Sequence, residues 1–295
     1  MTTFNHSGIH IVDLNAHYGL ISVHGNDAAT FLQGQLTSDI RELSATNHGL
    51  SAYCNIKGRV RAIFRIFLFD NTYFLQLPLS VLSGTLAQLK KVARFSKVSL
   101  EDVSSQWTRF GVSLESNCDL SKLPVFLPLV EEGKLLTSGN TKVSGDLIIL
   151  SLPGLNPRFE VLSPKALPDP LWMQLGKVSK IQDFEFWKLL DIKAGIPEIW
   201  PETVEQFLPH SLNLPALGAV NFNKGCYCGQ EIVARMEYRG KLKRQLVQVT
   251  LEDTETLPLP GSQFENLQGA DKKVGTVVTA SKMADTVEML IESND

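Results

Sequence analysis

Short apolar runs with strand-like alternation, interrupted by only a few amphipathic helical stretches, constrain this chain more than any other feature. Gly19 to His24 alternates as a strand, Leu50 to Phe69 reads as two strands joined by a tight turn at Lys57-Gly58, and Asn71 to Leu77 and Lys97 to Val103 follow. Two helices interleave with them. Asn26 and Asp27 offer caps to a helix carrying Phe31, Leu32 and Leu36. Ser80 offers a cap to a second, where Leu82, Leu86, Leu89 and Ala93 recur at helical spacing. Strands and helices mixed in this way point to the α+β class.

Residues 107–162 are again strand-rich. A short helix is expected at 171–177 and a better one at 183–194, with Phe184, Trp187, Leu190 and Ala194 on one face. Gly195 suits its C-terminal cap, and Pro197 prevents its continuation. After Leu242 three further strands suggest a small β-barrel or sandwich. At 295 residues the chain outgrows one core. The expected division is 1–104, 105–239 and 240–295.

Charge and cysteine usage narrow the function classes. The net charge of −3 with no block of like charge argues against bulk electrostatic binding to nucleic acid or membrane. No apolar run reaches bilayer length, and the N-terminal residues lack a secretory pattern. Four scattered cysteines do not make a disulfide framework, which fits a reducing cytoplasm.

The most informative stretch is Lys224-Gly225-Cys226-Tyr227-Cys228-Gly229-Gln230-Glu231, followed by Ile232-Val233-Ala234-Arg235. Glycines beside Cys226 let its backbone approach a ligand or another chain. Lys224 and Arg235 supply positive charge that favours a thiolate if they stand near it. Such a thiol serves as nucleophile, soft-metal ligand or redox-sensitive group; equally, it packs as a small apolar side chain in a tight loop. Cys226-x-Cys228 has no second ligand pair nearby, so no metal site is assigned.

The pattern K-G-C-Y-x-G-Q-E-x-V-A-R resembles the signature of the YgfZ family, relatives of the glycine-cleavage aminomethyltransferases. The resemblance extends to Gly25-x-Asp27-Ala28, Phe31-Leu32-Gln33-Gly34-Gln35, Lys57-Gly58, Ala194-Gly195-Ile196-Pro197 and the 207–217 loop. It implies three domains in a ring around a central cavity, with a C-terminal β-barrel. It further implies a cytoplasmic tetrahydrofolate-binding factor that supports iron–sulfur cluster assembly or repair and iron–sulfur-dependent tRNA modification. Its expected partners are iron–sulfur enzymes, including those that modify tRNA, with a transient cluster as an option. By the same resemblance Cys226 is the functional thiol, accompanied by Lys224 and Arg235, and Tyr18 and Trp187 contact the folate. Cys228 departs from the pattern and receives no family role.

The aminomethyltransferases carry an acidic residue where this chain has Gly58-Arg59-Val60-Arg61-Ala62-Ile63. Its absence removes general acid–base help worth roughly 10²–10⁴-fold and favours a non-enzymatic factor over a folate-dependent transferase or demethylase. Arg59, Arg61 and Lys57 form a basic edge suited to a folate tail or an acidic partner. Arg235, Arg239, Lys241, Lys243 and Arg244 form a second basic group. It opens a third reading, a noncatalytic RNA or protein adaptor, although the acidic total argues against direct tRNA binding.

Overall fold

The computed structural model describes residues 8–116, 118, 130–131, 134–165, 172–173, 176–177, 179–240, 242–254, 256–266 and 273–294. The strands are β1 (Ile9–Asp13), β2 (Tyr18–His24), β3 (His48–Cys54), β4 (Val60–Phe69), β5 (Thr72–Pro78), β6 (Ser99–Asp102), β7 (Trp107–Leu114), β8 (Val130–Glu131) and β9 (Lys134–Leu135). They continue with β10 (Thr141–Ser144), β11 (Leu147–Leu152), β12 (Arg158–Pro164), β13 (Lys180–Gln182), β14 (Arg244–Leu251), β15 (Gln263–Asn266), β16 (Lys273–Met283) and β17 (Thr286–Asn294). The longer helices are α1 (Ala28–Gln35), α2 (Leu79–Val92), α3 (Phe184–Lys193) and α4 (Gln230–Arg239). Of the helix expected at 171–177, residues 171, 174 and 175 lie outside the described residues.

The first sheet runs β3-β4-β5-β2-β6 and is antiparallel throughout. Because side chains alternate across a strand, Ala62, Phe64 and Ile66 of β4 join Phe31, Leu32, Leu82 and Leu89 beneath α1 and α2. Arg61, Ile63, Arg65 and Phe67 are left on the opposite face, toward the middle of the molecule. The second sheet runs β10-β11-β12-β7-β1-β13, with β1 and β13 parallel. Its first-in-sequence strand pairs with residues 107–114 and 180–182, so the chain passes between the two sheets at Leu14–Tyr18 and again between β6 and β7.

Packing binds the sheets together. Leu20, Phe67, Phe74, Leu150, Leu162 and Trp187 form a core shared by the first two sheets and α3. Another joins Ala52, Val60 and Ile63 to Phe207, Leu212, Val278 and Leu290, fastening the first sheet to the C-terminal one. That last sheet runs β14-β17-β16-β15 and curls into a half-barrel. Closure into the expected barrel is not reached among the described residues, because β14 and β15 remain unpaired edges.

Local capping differs from the sequence reading. Asp27 precedes α1, yet its carboxylate accepts the Lys97 N–H at 2.7 Å and makes no cap bond to the helix. Ser80 lies inside α2, whose cap position is Pro78. Asp183 does cap α3, accepting the Phe186 N–H at 3.1 Å, and Gly195 ends it at φ +68°.

Candidate functional site

Tyr18 and Trp187 come from different elements and line one cavity at the junction of the first two sheets. Tyr18 opens β2; its hydroxyl donates to Glu198 Oε1 at 2.5 Å and its ring meets Phe184 edge-on. Trp187, in α3, is 1% exposed and rests on Gly111 of β7. A Cβ at Gly111 would stand 2.4 Å from the indole. The Arg158 guanidinium lies 5.4 Å from the indole centroid. Trp187 is thus both core and cavity wall.

Five polar side chains, Arg65, Gln76, Glu160, Asp191 and Glu198, share the lining with Leu50, Ile63, Leu77, Pro78, Ile196 and Pro197. Gln76 Nε2 donates to Glu160 at 2.6 Å, and Arg158 donates to Asp191 at 2.7 Å in a buried ion pair. Arg65 Nε stands 3.4 Å from Glu160 Oε2 without hydrogen-bond geometry, and Gln76 Oε1 has no partner. A buried donor and acceptor left open in this way cost about 1–3 kcal/mol each, which a polar ligand edge or water recovers. Burial raises the Glu198 carboxyl to about 8, helped by neighbouring Asp191, so it holds a proton at neutral pH. Burial also raises Glu160 and, with Glu198 beside it, the Tyr18 phenol. The cavity holds about 30 Å³, room for one or two waters.

The thiol loop lies elsewhere. Cys226 is exposed in the segment leading into α4. Lys224 is buried: its Nζ donates to Leu36 O at 2.6 Å and Ser38 O at 2.7 Å, closing the end of α1. Burial lowers its ammonium to about 8. These two hydrogen bonds, accepted by the carbonyls, pin the loop to the end of α1. Arg235 is exposed on α4. The structure therefore brings Tyr18 and Trp187 together, and commits the Lys224 ammonium to two backbone carbonyls while Cys226 is exposed.

Cys228 is half-buried. Its N–H donates to Gly34 O at 3.1 Å, and it lines a cleft of about 320 Å³ with Tyr53, Lys57, Arg61 and Glu205. Burial raises its thiol, and pushes that of Cys54 up to about 12. Within the basic edge, Arg61 pairs with Glu205 at 2.6 Å and Arg59 donates to Gln206 O. Among the described residues no group of three or more His, Cys, Asp or Glu side chains is arranged to hold a metal.

Arg65, Gln76, Glu160, Asp191 and Glu198 escaped the sequence reading. Their signal was present: Arg65, Gln76 and Glu160 each interrupt an apolar strand run, and a charged group inside such a run needs a buried partner. What sequence alone could not supply was that the interruptions face one another.

No family model matches the chain. It is 33% identical over 270 residues to the tRNA-modifying protein YgfZ of Serratia proteamaculans (strain 568), covering 91% of this chain and 79% of that protein. It is 31% identical over 281 residues to the tRNA-modifying protein YgfZ of Escherichia coli O157:H7 (strain EC4115 / EHEC), covering 94% and 84%. Among solved structures, the glycine cleavage system aminomethyltransferase T from Bartonella henselae matches with a TM-score of 0.75 at 17% identity, over 98% of this chain and 80% of that one. That likeness shows the fold.

Proposed function

The chain belongs to the YgfZ family, and from that premise we propose that it is a folate-binding factor acting in tRNA modification. The observation carrying this reading is the cavity where Tyr18 and Trp187 meet a cluster of polar side chains, with an open donor on Arg65 and an open acceptor on Gln76. A pterin has a flat face for the aromatic wall and a donor–acceptor edge for Arg65, Gln76 and the carboxylates. When bound, a reduced folate supplies a one-carbon carrier.

At about 30 Å³ the cavity admits a pterin only on opening. Ile63 lies on the same strand face as Arg65, and Glu198 is held by Tyr18, so these two side chains must move. One step outward on that face, Arg61 borders two clefts of about 450 and 320 Å³, a path for the rest of the ligand.

Tryptophan-fluorescence titration with tetrahydrofolate and its 5-formyl derivative tests the reading. Saturable quenching is expected, with affinity about 10-fold weaker in Gln76→Leu as one polar partner is lost. No saturable response to either ligand in the parent removes the folate site.

The finer part of the proposal is support of iron–sulfur enzymes through Cys226, whose exposure allows contact with a partner protein. Cys226→Ala is expected to fold normally and fail to restore iron–sulfur enzyme activity in a deficient strain. Full restoration would discard the thiol mechanism.

A second reading, tetrahydrofolate-dependent aminomethyl transfer or demethylation, gains one observation. The carboxylate missing from 58–63 is matched by Glu160, Asp191 and Glu198 reaching the cavity from other elements. It requires turnover of a methylamine donor by the purified protein, falling roughly 10²–10⁴-fold in Glu198→Gln.

A further inference from the structure

The turn between β3 and β4 packs directly on the start of α4. A Cβ on Gly58 would stand 3.1 Å from Ile232 Cβ, and one on Gly229 2.4 Å from the Asn55 carbonyl oxygen. This contact unites two basic groups about 180 residues apart in sequence. Arg59 on the turn shares one cleft with Lys243 and Arg244, while Lys57 on the same turn and Arg235 and Arg239 on α4 are exposed. Arg235 and Arg239 are four residues apart and flank the Ile232–Met236 stripe facing the turn.

The carboxylates on this face are fewer and mostly engaged. Glu237 accepts from His210 at 3.2 Å, Glu292 takes Arg244 at 3.0 Å, and Glu231 is exposed. Between the turn and the last strand lies a cleft of about 450 Å³. Leu208, Met236 and Leu242 line it with Ser211, and its charged groups are Arg59, Lys243, Arg244 and the Glu292 carboxylate that Arg244 pairs with. Tyr238, further along α4, is 68% exposed, its ring edge-on to Phe222 at 6.2 Å.

From this assembly we propose that the face is a binding site for single-stranded RNA, with one nucleotide seated in the cleft between α4 and the C-terminal sheet. A flat base suits the apolar side chains, and its phosphate suits the cationic ones. The cations outside the cleft continue the path for neighbouring phosphates, which a free nucleotide would not need. Tyr238 offers a further stacking surface. A duplex fits poorly, because its bases are already stacked and cannot enter the cleft. This surface is separate from the Tyr18–Trp187 cavity and does not depend on folate being held there. It also reverses the inference drawn from the chain's net charge, which averages over all faces.

The test is fluorescence anisotropy with a labelled 12-nucleotide single-stranded RNA, across 50–200 mM KCl, on the full chain. Saturable binding is expected to weaken with salt. The double variant R239E/K243E should bind at least about 10-fold more weakly and lower the log–log salt slope by roughly 1.4, two contacts at about 0.7 each. Reversing Lys90 and Lys91 at the end of α2 (K90E/K91E) should leave binding unchanged. If R239E/K243E fails to melt like the parent, R239Q/K243Q takes its place. Absence of RNA binding at 50 mM KCl would overturn the site, as would equal loss in K90E/K91E. So would tighter binding of a polyglutamate peptide or of a 12-base-pair DNA duplex than of the single-stranded RNA. Folate quenching should persist in R239E/K243E; its absence from the parent would fault the folate reading alone.

Discussion

Glu198 shows how one residue acquires a role through its surroundings. In sequence it is an ordinary acid in a Pro-flanked loop; in the fold it is buried beside Asp191 with the Tyr18 hydroxyl on its oxygen. Its carboxyl is raised from 4.5 to about 8, so between those values the folded state holds a proton that the unfolded state has released. The contribution to stability is then greatest at low pH and is lost as pH rises through that window. Glu198→Gln, which cannot ionise, should melt progressively higher than the parent as pH moves from 5 to 8.5. A constant difference between the two melting curves would show that the group ionises normally. Lys224 teaches the converse. Its position two residues before a thiol suggested activation of sulfur, but its Nζ is committed to two carbonyls at the end of α1.

Among the elements, α4 is held by the buried Val233 and by one close backbone contact at its start. Gly229 enters the helix at φ +82°, where a side chain is strained, and it abuts Asn55 and Gly58 too closely for a Cβ. Gly229→Ala should therefore cost about 1–3 kcal/mol from conformation alone, and more from the contact. Thermal melting measures the loss. Because the same contact assembles the basic face, RNA affinity should drop in this variant even though no charge changes. The strands were largely legible because alternation of side chains is local. The helix caps were less so: Asp27 and Ser80 have the right chemistry, but Asp27 is taken by Lys97 and the chain enters α2 earlier.

For the molecule as a whole, α3 is the fastening between sheets. Asp191 receives Arg158 from β12 at 2.7 Å, Lys188 donates to Ala280 O at 3.1 Å, and Ser281 donates to Glu185 O at 2.7 Å. Arg158→Met leaves Asp191 buried and unpaired, an imbalance worth about 3–5 kcal/mol. Chemical denaturation should show that loss, and pairing it with Asp191→Leu should recover much of it. Recovery absent in the double variant would mean the pair carries no such penalty.

The sequence alone determined the α+β class, most strand positions, the family and the two cavity aromatics, because periodicity and a long motif are properties of neighbouring residues. Only the tertiary structure decided which polar side chains share the cavity, that carboxylates from β12, α3 and the 198 loop line it, and that Arg59 shares a cleft with Lys243 and Arg244. Those facts are relations between segments brought together by burial of apolar surface, and side-chain type does not record which distant partner that burial selects.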